Sequence, residues 1–332
     1  MRIATYNVEW FNTLFDDDGK LINDQTWSSR WDVTKATQTA ALGMVFEAMD
    51  ADAVMIIEAP DTSTKRNTIK ALTHFADHFG LRTTDALIGF ANDTQQEIAL
   101  LYDPKVMQVR HDPQETPDSP RFDKTDQRDL NVDAAPDVIR WSKPPLEVAV
   151  ETAHGPLRLI GVHAKSKAPH GAENAADAMR ISIANRRKQL AQCIWLRKRV
   201  AAHLAAGDDL IVLGDFNDGP GLDEYEKLFG RSGVEIVLGE GAEDKLFDPH
   251  ARMALSRRVG AMPTTARFRR KGQPYLQALL DYIMISPGLR AKSPRWQIWH
   301  PFDHPDCYEN AALRTALLHA SDHFPVILDI KL

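Results

Sequence analysis

A mixed α/β fold is predicted for this chain, on two grounds. Short apolar runs of strand length alternate with apolar stripes at helical spacing along its whole length. Its 332 residues, 43% hydrophobic and 26% charged, can also bury a large core. That composition excludes a disordered chain, a collagen-like repeat and a disulfide-held miniprotein. A length near 330 residues suggests about two domains, but large α/β enzymes reach this size as one unit. The expectation is therefore a single domain over 1–332.

The elements are justified in order. Ile3-Ala4-Thr5-Tyr6-Asn7-Val8 reads as a strand, and directly after Arg2 it lacks the h-region of a signal peptide. The cytoplasm is the expected compartment, although a secreted mature form would read the same. Phe15, Trp27 and Trp31 fall in an N-terminal excursion expected to be a packed flap. Thr34 to Met49 carries Ala41, Leu42, Val45 and Met49 as a helical stripe. Ala53-Val54-Met55-Ile56-Ile57 is a continuous apolar strand ended by Glu58. Asn67 to Phe79 predicts a second helix, with Gly80 at its C-cap. Ile98 to Tyr102 predicts a strand closed by Asp103-Pro104, with Val106 to Val109 as its hairpin partner.

His111 to Pro145 differs in texture, with prolines at 113, 117, 120, 136, 144 and 145 and many aspartates. Its flanks look like strands of one sheet, so a long surface excursion at about 111–145 is expected rather than a domain linker. Leu146 to Glu151 and Leu157 to Val162 predict an antiparallel pair, the second ending in His163. Ile181 to Leu204 is the longest predicted helix, with Leu190, Cys193, Ile194, Ala201 and Leu204 facing the core. Arg186-Arg187-Lys188 and Arg197-Lys198-Arg199 then read as its solvated face. Asp209 to Leu213 is a strand running into Gly214-Asp215-Phe216-Asn217-Asp218-Gly219-Pro220. Leu279 to Ser286 and Phe324 to Ile330 are the last strands, with a short helix near Ala311 to Leu318 between them. There is no internal period of 20–50 residues.

Lys and Arg total 40 against 46 Asp and Glu, a formal charge of -6, which disfavours general binding to duplex nucleic acid. No apolar run approaches the roughly 18 residues of a membrane span. Cys193 and Cys307 are too few for a disulfide scaffold and fit a reducing compartment.

Polar residues recur within or beside the apolar strands: Asn7, Glu58, His163, Asp215 with Asn217, Asp281, and Asp322-His323. Glu58 is either a ligand for a hard cation or the soluble end of a buried strand. Mg2+ favours carboxylate oxygen and keeps several waters, so Glu58 with Asp322 and substrate oxygens would suffice. Asp215 and Asn217 either form a turn or send two polar side chains to one side, to hold a water and to donate to a phosphoryl oxygen. His163 and His323 are candidates for proton transfer or phosphate stabilisation. Asp281 either orients His323 and favours its charged form or caps a turn. A nucleotide P-loop, an HExxH pair, a GxSxG elbow and closely spaced cysteines are all missing. Metal-assisted attack by water remains.

The ordered segments Thr5-Tyr6-Asn7-Val8, Ile56-Ile57-Glu58, Gly161-Val162-His163, Gly214-Asp215-Phe216-Asn217, Leu280-Asp281-Tyr282-Ile283 and Ser321-Asp322-His323-Phe324-Pro325-Val326 resemble the endonuclease/exonuclease/phosphatase superfamily. Its members include metal-dependent nucleases, sphingomyelinases and inositol-polyphosphate phosphatases. The resemblance implies a four-layer α/β/β/α sandwich with two central, mostly antiparallel sheets. It implies Mg2+, with Mn2+ as the alternative, held by Glu58 with Asn7 and Asp322. It further implies Asp215 on the attacking water, Asn217 and His163 on the phosphoryl group, and His323 stabilising charge under orientation by Asp281. Thr94-Gln95-Gln96-Glu97 departs from relatives that place a Tyr and a Glu there to help the substrate and one histidine. Thr94 cannot replace a Tyr ring, and Glu97 or Gln96 is left to support His163.

For the substrate, Lys165, Arg267, Arg269 and Arg270 are the candidate anion-binding residues, with Lys167 and Lys271 beside them and Phe268 either stacking on a base or entering the core. Trp299-His300-Pro301-Phe302-Asp303-His304-Pro305 offers a second substrate wall. A few local cations suit a phosphorylated small molecule, a lipid headgroup or a short nucleic acid. Neither membrane insertion nor a protein partner is expected. The expected activity is divalent-metal-dependent phosphoester hydrolysis by an activated water. The alternatives are a sequence-nonspecific endonuclease or exonuclease of the same fold and a noncatalytic phosphate- or protein-binding protein.

Overall fold

The computed structural model describes residues 1–128, 137–219, 230–256, 262–270 and 272–332. Pro136, Pro220 and Lys271, named above, lie outside them. In chain order the main elements are β1 (Arg2–Asn7), α1 (Lys35–Met49), β2 (Ala53–Ala59), α2 (Thr68–His78), β3 (Asp85–Ile88), β4 (Glu97–Tyr102), β5 (Met107–His111), β6 (Thr125–Arg128), β7 (Asp137–Arg140), β8 (Leu146–Thr152) and β9 (Gly155–His163). There follow α3 (Ala175–Ala206), β10 (Leu210–Asp215), α4 (Gly233–Leu238), α5 (Pro249–Leu255), β11 (Ala266–Phe268), β12 (Leu276–Ala278), β13 (Asp281–Ile285), α6 (Pro287–Arg290), β14 (Arg295–Ile298), α7 (Pro305–Glu309), α8 (Ala311–Ala320) and β15 (Val326–Asp329).

Two sheets form the centre, in the orders β14-β15-β1-β2-β4-β3 and β13-β10-β9-β8-β5. Each has one parallel pair, β1 with β2 and β9 with β10, and is otherwise antiparallel. Alternation along the strands explains the layering. Ile3, Met55, Ile57 and Leu100 of the first sheet meet Val148, Leu159, Ile211 and Ile283 of the second in an inter-sheet core. The opposite side chains of the first sheet, Ala4, Tyr6 and Ile56, pack on α1, α2 and α8 through Leu42, Phe46, Phe75 and Leu317. Those of the second, Ile160, Val162 and Val212, pack on α3 through Leu190, Cys193, Trp195 and Leu196. The four-layer α/β/β/α sandwich follows.

Helix ends obey capping chemistry. Thr34 accepts from the Thr37 amide before α1, Asn67 from Lys70 before α2, and Asn174 from Asp177 before α3. Helix α3 is longer than expected, because its first turns, Ala175–Arg180, project from the core and so carry no apolar stripe.

Several expectations need correction. The segment after Pro104 does not form a hairpin with β4. It pairs as β5 with β8 in the other sheet, and β3 takes the free edge of β4. The chain leaves the second sheet at β5 and returns at the neighbouring β8, with the β6–β7 ribbon between. Arg186 and Arg199 are not on a solvated face. Arg199 is buried, bonds Glu147, and donates to the Ser119 carbonyl at 2.9 Å, while Phe122 stacks under its guanidinium. Arg186 is buried near Asp218. Phe15 is packed as expected of a flap, but Trp27 and Trp31 are 67% and 70% exposed. Glu58 does not end β2. It sits in a bulge between Ile57 and Ala59 at φ 63°. No helix among the described residues is long and apolar enough to cross a membrane.

Candidate active site

The strands deliver polar groups to one edge of the sandwich. Asn7 ends β1, His163 ends β9, and Asp215 ends β10 directly across from both His163 and Asp281. The bulge at Glu58 turns its side chain out of the sheet, a place where backbone strain is often stored for function. Gly214 allows a close approach of backbone to backbone. At φ 136°, a Cβ there would lie 2.1 Å from the Val162 carbonyl oxygen, so only glycine lets β10 run against β9 beside Asp215.

Asn7, Glu58, His163 and Asp215 line one cavity of about 930 Å³, which also takes in Asn217, Asp322, His323, Lys143, Lys165 and Arg186. Asp215 is buried and accepts three hydrogen bonds: from Asn7 Nδ2 at 3.0 Å, from the Asn217 amide at 2.7 Å and from Asn217 Nδ2 at 3.0 Å. Burial, with Asp281 next, still pushes its carboxyl up to about 7. Asn217 stands at φ 49° and also donates to the Ala164 carbonyl, 3.2 Å away. Sequence periodicity placed Asp215 and Asn217 together, and here they bond directly.

His323 Nδ1 lies 2.7 Å from Asp281 Oδ2. Burial works against a charged ring, but the charge and hydrogen bond of Asp281, with Asp215 and Asp322, prevail and hold the imidazole well above its ordinary value. Asp281 is itself held by local chemistry, since its amide and that of Leu280 both donate to Thr265 Oγ1 at 3.0 Å. Backbone bonds join the β11 segment to this corner: the Arg267 amide donates to the Asp322 carbonyl and the Phe324 amide to that of Thr265, each at 2.7 Å. Phe268 packs half-buried on the small apolar cluster of Ala266, Ala278 and Leu280. It lines the cavity edge-on to His323, ring centres 5.5 Å apart.

His163 behaves oppositely. Burial, then Lys143 and the second histidine, hold its imidazole well below the ordinary value. Its Nε2 faces Asp215 Oδ2 at 3.7 Å and Glu58 Oε1 at 4.0 Å. Two histidines in one cavity are thus biased to different charge states.

Oxygen donors predominate where a divalent cation would sit. Glu58 and Asp322 line the cavity, and Asn7 Oδ1 is a buried acceptor with no hydrogen-bond partner. Asp215, Asp281 and His323 also have atoms within 4.8 Å of one another. In that group, however, His323 keeps a proton and is engaged by Asp281, which makes it a poor ligand. Glu58, Asn7 and Asp322 are the better fit to a hard cation.

Of the four expected anion-binding residues, only Lys165 lines the cavity. Arg267 lies against Tyr275 at 3.6 Å and Phe302 at 5.5 Å, Arg269 against Trp31 at 3.8 Å, and Arg270 donates to the Pro274 carbonyl. Trp299 and His300 are buried rather than forming a wall, while Phe302, Asp303 and Pro305 of that segment are exposed. Glu97 turns away, accepting from Asn92 Nδ2 at 2.6 Å. Gln96 turns in: its Nε2 donates to Glu58 Oε2 at 2.5 Å. Neither composition nor motif singles out Lys143, and Gln96 is marked only as the alternative to Glu97 beside His163. The available signal for Lys143 was Ser142-Lys143-Pro144-Pro145, a cation where the excursion re-enters the sheet beside the His163 strand.

The fold and site have counterparts. The description "Endonuclease/Exonuclease/phosphatase family" matches residues 4–323. A truncated TDP2 from Caenorhabditis elegans is similar with a TM-score of 0.54 and 12% identity, over 100% of this chain and 97% of that one. The 3′ phosphatase NExo from Neisseria, bound to a product DNA hairpin, gives 0.52 and 15% over 100% of both chains. An AP endonuclease from Archaeoglobus fulgidus gives 0.53 and 11%, again over 100% of both. At these identities the likeness is one of fold. No curated protein matches the chain significantly in sequence. A family match over nearly the whole length, on two stacked mixed sheets with one polar cavity at their edge, means that this chain belongs to the endonuclease/exonuclease/phosphatase family, whose enzymes hydrolyse phosphoester bonds and are generally dependent on divalent metal.

Proposed function

We propose that the chain, acting as one catalytic domain, is a divalent-metal-dependent phosphoester hydrolase in which water attacks phosphorus directly. One observation carries the proposal. The buried carboxylate of Asp215, held by three hydrogen bonds, shares one cavity with His323, whose Nδ1 lies 2.7 Å from Asp281, and with the oxygen donors Glu58 and Asn7.

Glu58, Asn7 and Asp322 would hold the cation, Mg2+ or Mn2+. When bound, it supplies charge neutralisation at the phosphoryl and leaving oxygens. Asp215, fixed by its three hydrogen bonds, takes the proton of the attacking water as the new P–O bond forms. A carboxyl pushed up to about 7 is well matched to that transfer near neutral pH. The Nε2–H of His163 donates to a phosphoryl oxygen, and Asn217 Nδ2 does so by giving up its 3.2 Å bond to the Ala164 carbonyl while keeping the one to Asp215. His323 carries positive charge against the oxygen that departs as the old P–O bond breaks. Donors held in place beforehand act more strongly on the transition state than mobile water. Lys165 supplies positive potential at the cavity wall.

A second reading, a nuclease acting on single strands, is favoured by the rim. Trp31 with Arg269 and Tyr275 with Arg267 form exposed guanidinium–aromatic stacks on and beside the β11–β12 ribbon that carries Phe268. Such faces accept unpaired bases without sequence preference. The Neisseria and Archaeoglobus neighbours are described as a DNA-bound phosphatase and an AP endonuclease, which agrees with this substrate class.

The test is a comparison of wild type, Glu58→Ala and Asp215→Ala on phosphomonoesters, phosphodiesters, lipid phosphodiesters and oligonucleotides, with Mg2+, Mn2+ or chelator. Metal-stimulated turnover is expected in wild type alone. Full activity in both folded variants refutes the proposal.

A further inference from the structure

On the Nδ1 side of His163, two cavity-lining side chains bridge it to Glu58. Gln96 is 7% exposed. Its Nε2 donates to Glu58 Oε2 at 2.5 Å and its Oε1 accepts from Lys143 Nζ at 2.5 Å. The same Nζ lies 3.2 Å from His163 Nδ1. The neighbours dictate the amide's orientation: a carboxylate takes the NH2 end and an amine the carbonyl end.

The lysine nitrogen carries hydrogens in either charge state, and the ammonium form has no lone pair to offer. Against the ammonium form of Lys143, Nδ1 of His163 accepts, which puts the ring proton of the neutral imidazole on Nε2. That nitrogen points at the cavity, between Asp215 Oδ2 at 3.7 Å and Glu58 Oε1 at 4.0 Å. With the opposite tautomer, a bare lone pair would face two carboxylates and any phosphoryl oxygen, and Nδ1–H would meet the Lys143 donors head-on.

We infer that Lys143, held by Gln96, is a positioning residue that fixes His163 as the Nε2–H tautomer and so makes it a hydrogen-bond donor to the phosphoryl group. The donor role rests on the phosphoester reading above; the tautomer does not. The inference also gives the 111–145 excursion a function, because its last turn carries Lys143 into the site from the strand beside β9.

The experiment pairs a spectroscopic readout with kinetics. In protein labelled with 15N-histidine, without added metal or substrate, long-range 15N–1H correlations assign the tautomer of His163, identified by its loss in His163→Gln. Wild type should show Nε2–H. Lys143→Met removes the ammonium donor while keeping much of the side chain's volume and leaves only the Asp215 and Glu58 carboxylates to favour Nε2–H, so a measurable Nδ1–H population should appear; Lys143→Arg should suppress it. With the best substrate and Mg2+, Lys143→Met should lower kcat about 10–100-fold, the usual effect of removing a group that orients an active-site residue. Lys143→Arg should recover to within about tenfold of wild type on the same scale. If Lys143→Met fails to fold, Lys143→Gln serves, since its shorter arm leaves Nδ1 without its donor and predicts the same losses.

An unchanged Nε2–H ring in the folded Met or Gln variant overturns the inference. So does a rise in KM at unchanged kcat, which would make Lys143 a substrate contact only. If the tautomer responds as expected but Asp215→Ala retains full turnover, the phosphoester reading fails while the positioning of His163 stands.

Discussion

Replacing Asn217 separates backbone strain from chemistry. Its side chain donates to Asp215 Oδ2 at 3.0 Å and to the Ala164 carbonyl at 3.2 Å, while its backbone amide bonds Asp215 Oδ1 at 2.7 Å and its φ is 49°. Asn217→Gly keeps the amide, removes the side-chain donor and relieves the left-handed backbone. Two hydrogen bonds worth about 1 kcal/mol each are lost. A left-handed residue with a Cβ costs roughly 1–2 kcal/mol, and that cost vanishes. The two changes offset each other, so stability should move by no more than about 1 kcal/mol. Asn217→Ala loses the same donor and keeps the strain, so it should melt below the Gly variant by the equivalent of about 1 kcal/mol. If the side chain acts on the transition state, both variants lose about 100–1000-fold in kcat, or roughly 3–4 kcal/mol. The assay is kcat on the best substrate beside thermal melts of all three proteins. Two results refute the reasoning: a Gly variant within tenfold of wild type, or activity that tracks melting temperature across the pair.

Other perturbations read the frame around the site. Gly214→Ala sets a Cβ 2.1 Å from the Val162 carbonyl, backbone against backbone. It should cost about 3 kcal/mol, the upper end for overpacking, and remove activity, as seen by melting and turnover together. Arg199→Met strips the buried Glu147 of its partner, with expected destabilisation of about 3–5 kcal/mol by denaturant unfolding. Adding Glu147→Leu should restore much of it, and an additive double variant would show that the pair does not interact. Burial lowers His250 to about 4 from an ordinary 6.5. As pH falls through that window the unfolded chain binds a proton that the folded chain refuses. The stabilisation is therefore complete above 6.5 and falls by at most about 3 kcal/mol on the way to 4. Unfolding of His250→Asn from pH 7.5 to 4 should be flatter than that of wild type.

Much of this was legible in the sequence because burial leaves a pattern. Ala53–Ile57 and Leu210–Leu213 are apolar on both sides since both faces of each sheet are covered. What stayed hidden depends on partners distant in the chain. Met107–His111 looks like the return of β4, yet its register is set by β8, some 40 residues on. Arg186 and Arg199 read as a solvated face because a buried cation is marked only by its partner, Asp218 or Glu147, and no spacing rule links them. The β11–β12 and β6–β7 ribbons are too short to show alternation.

Strand direction explains which site residues were visible. Residues at the C-terminal ends of the parallel pairs β1–β2 and β9–β10 share one edge of their sheet, and they supply Asn7, Glu58, His163 and Asp215. Stacking the sheets closes the set, since Asn7 of one bonds Asp215 of the other at 3.0 Å. Antiparallel neighbours reach the same edge with their beginnings. Asp281 precedes the body of β13, His323 precedes β15, Gln96 precedes β4 and Lys143 precedes β8. Polar residues ending an apolar run stand out in a sequence. Those preceding one merge with the loop before it, as Gln96 merges with Thr94-Gln95 and Lys143 with the proline-rich excursion. Asp281 and His323 stood out only because Asp-Tyr and Asp-His mark them. In a sandwich of this topology, the complete set of groups at the cavity edge is found by reading ends of parallel strands together with beginnings of their antiparallel partners.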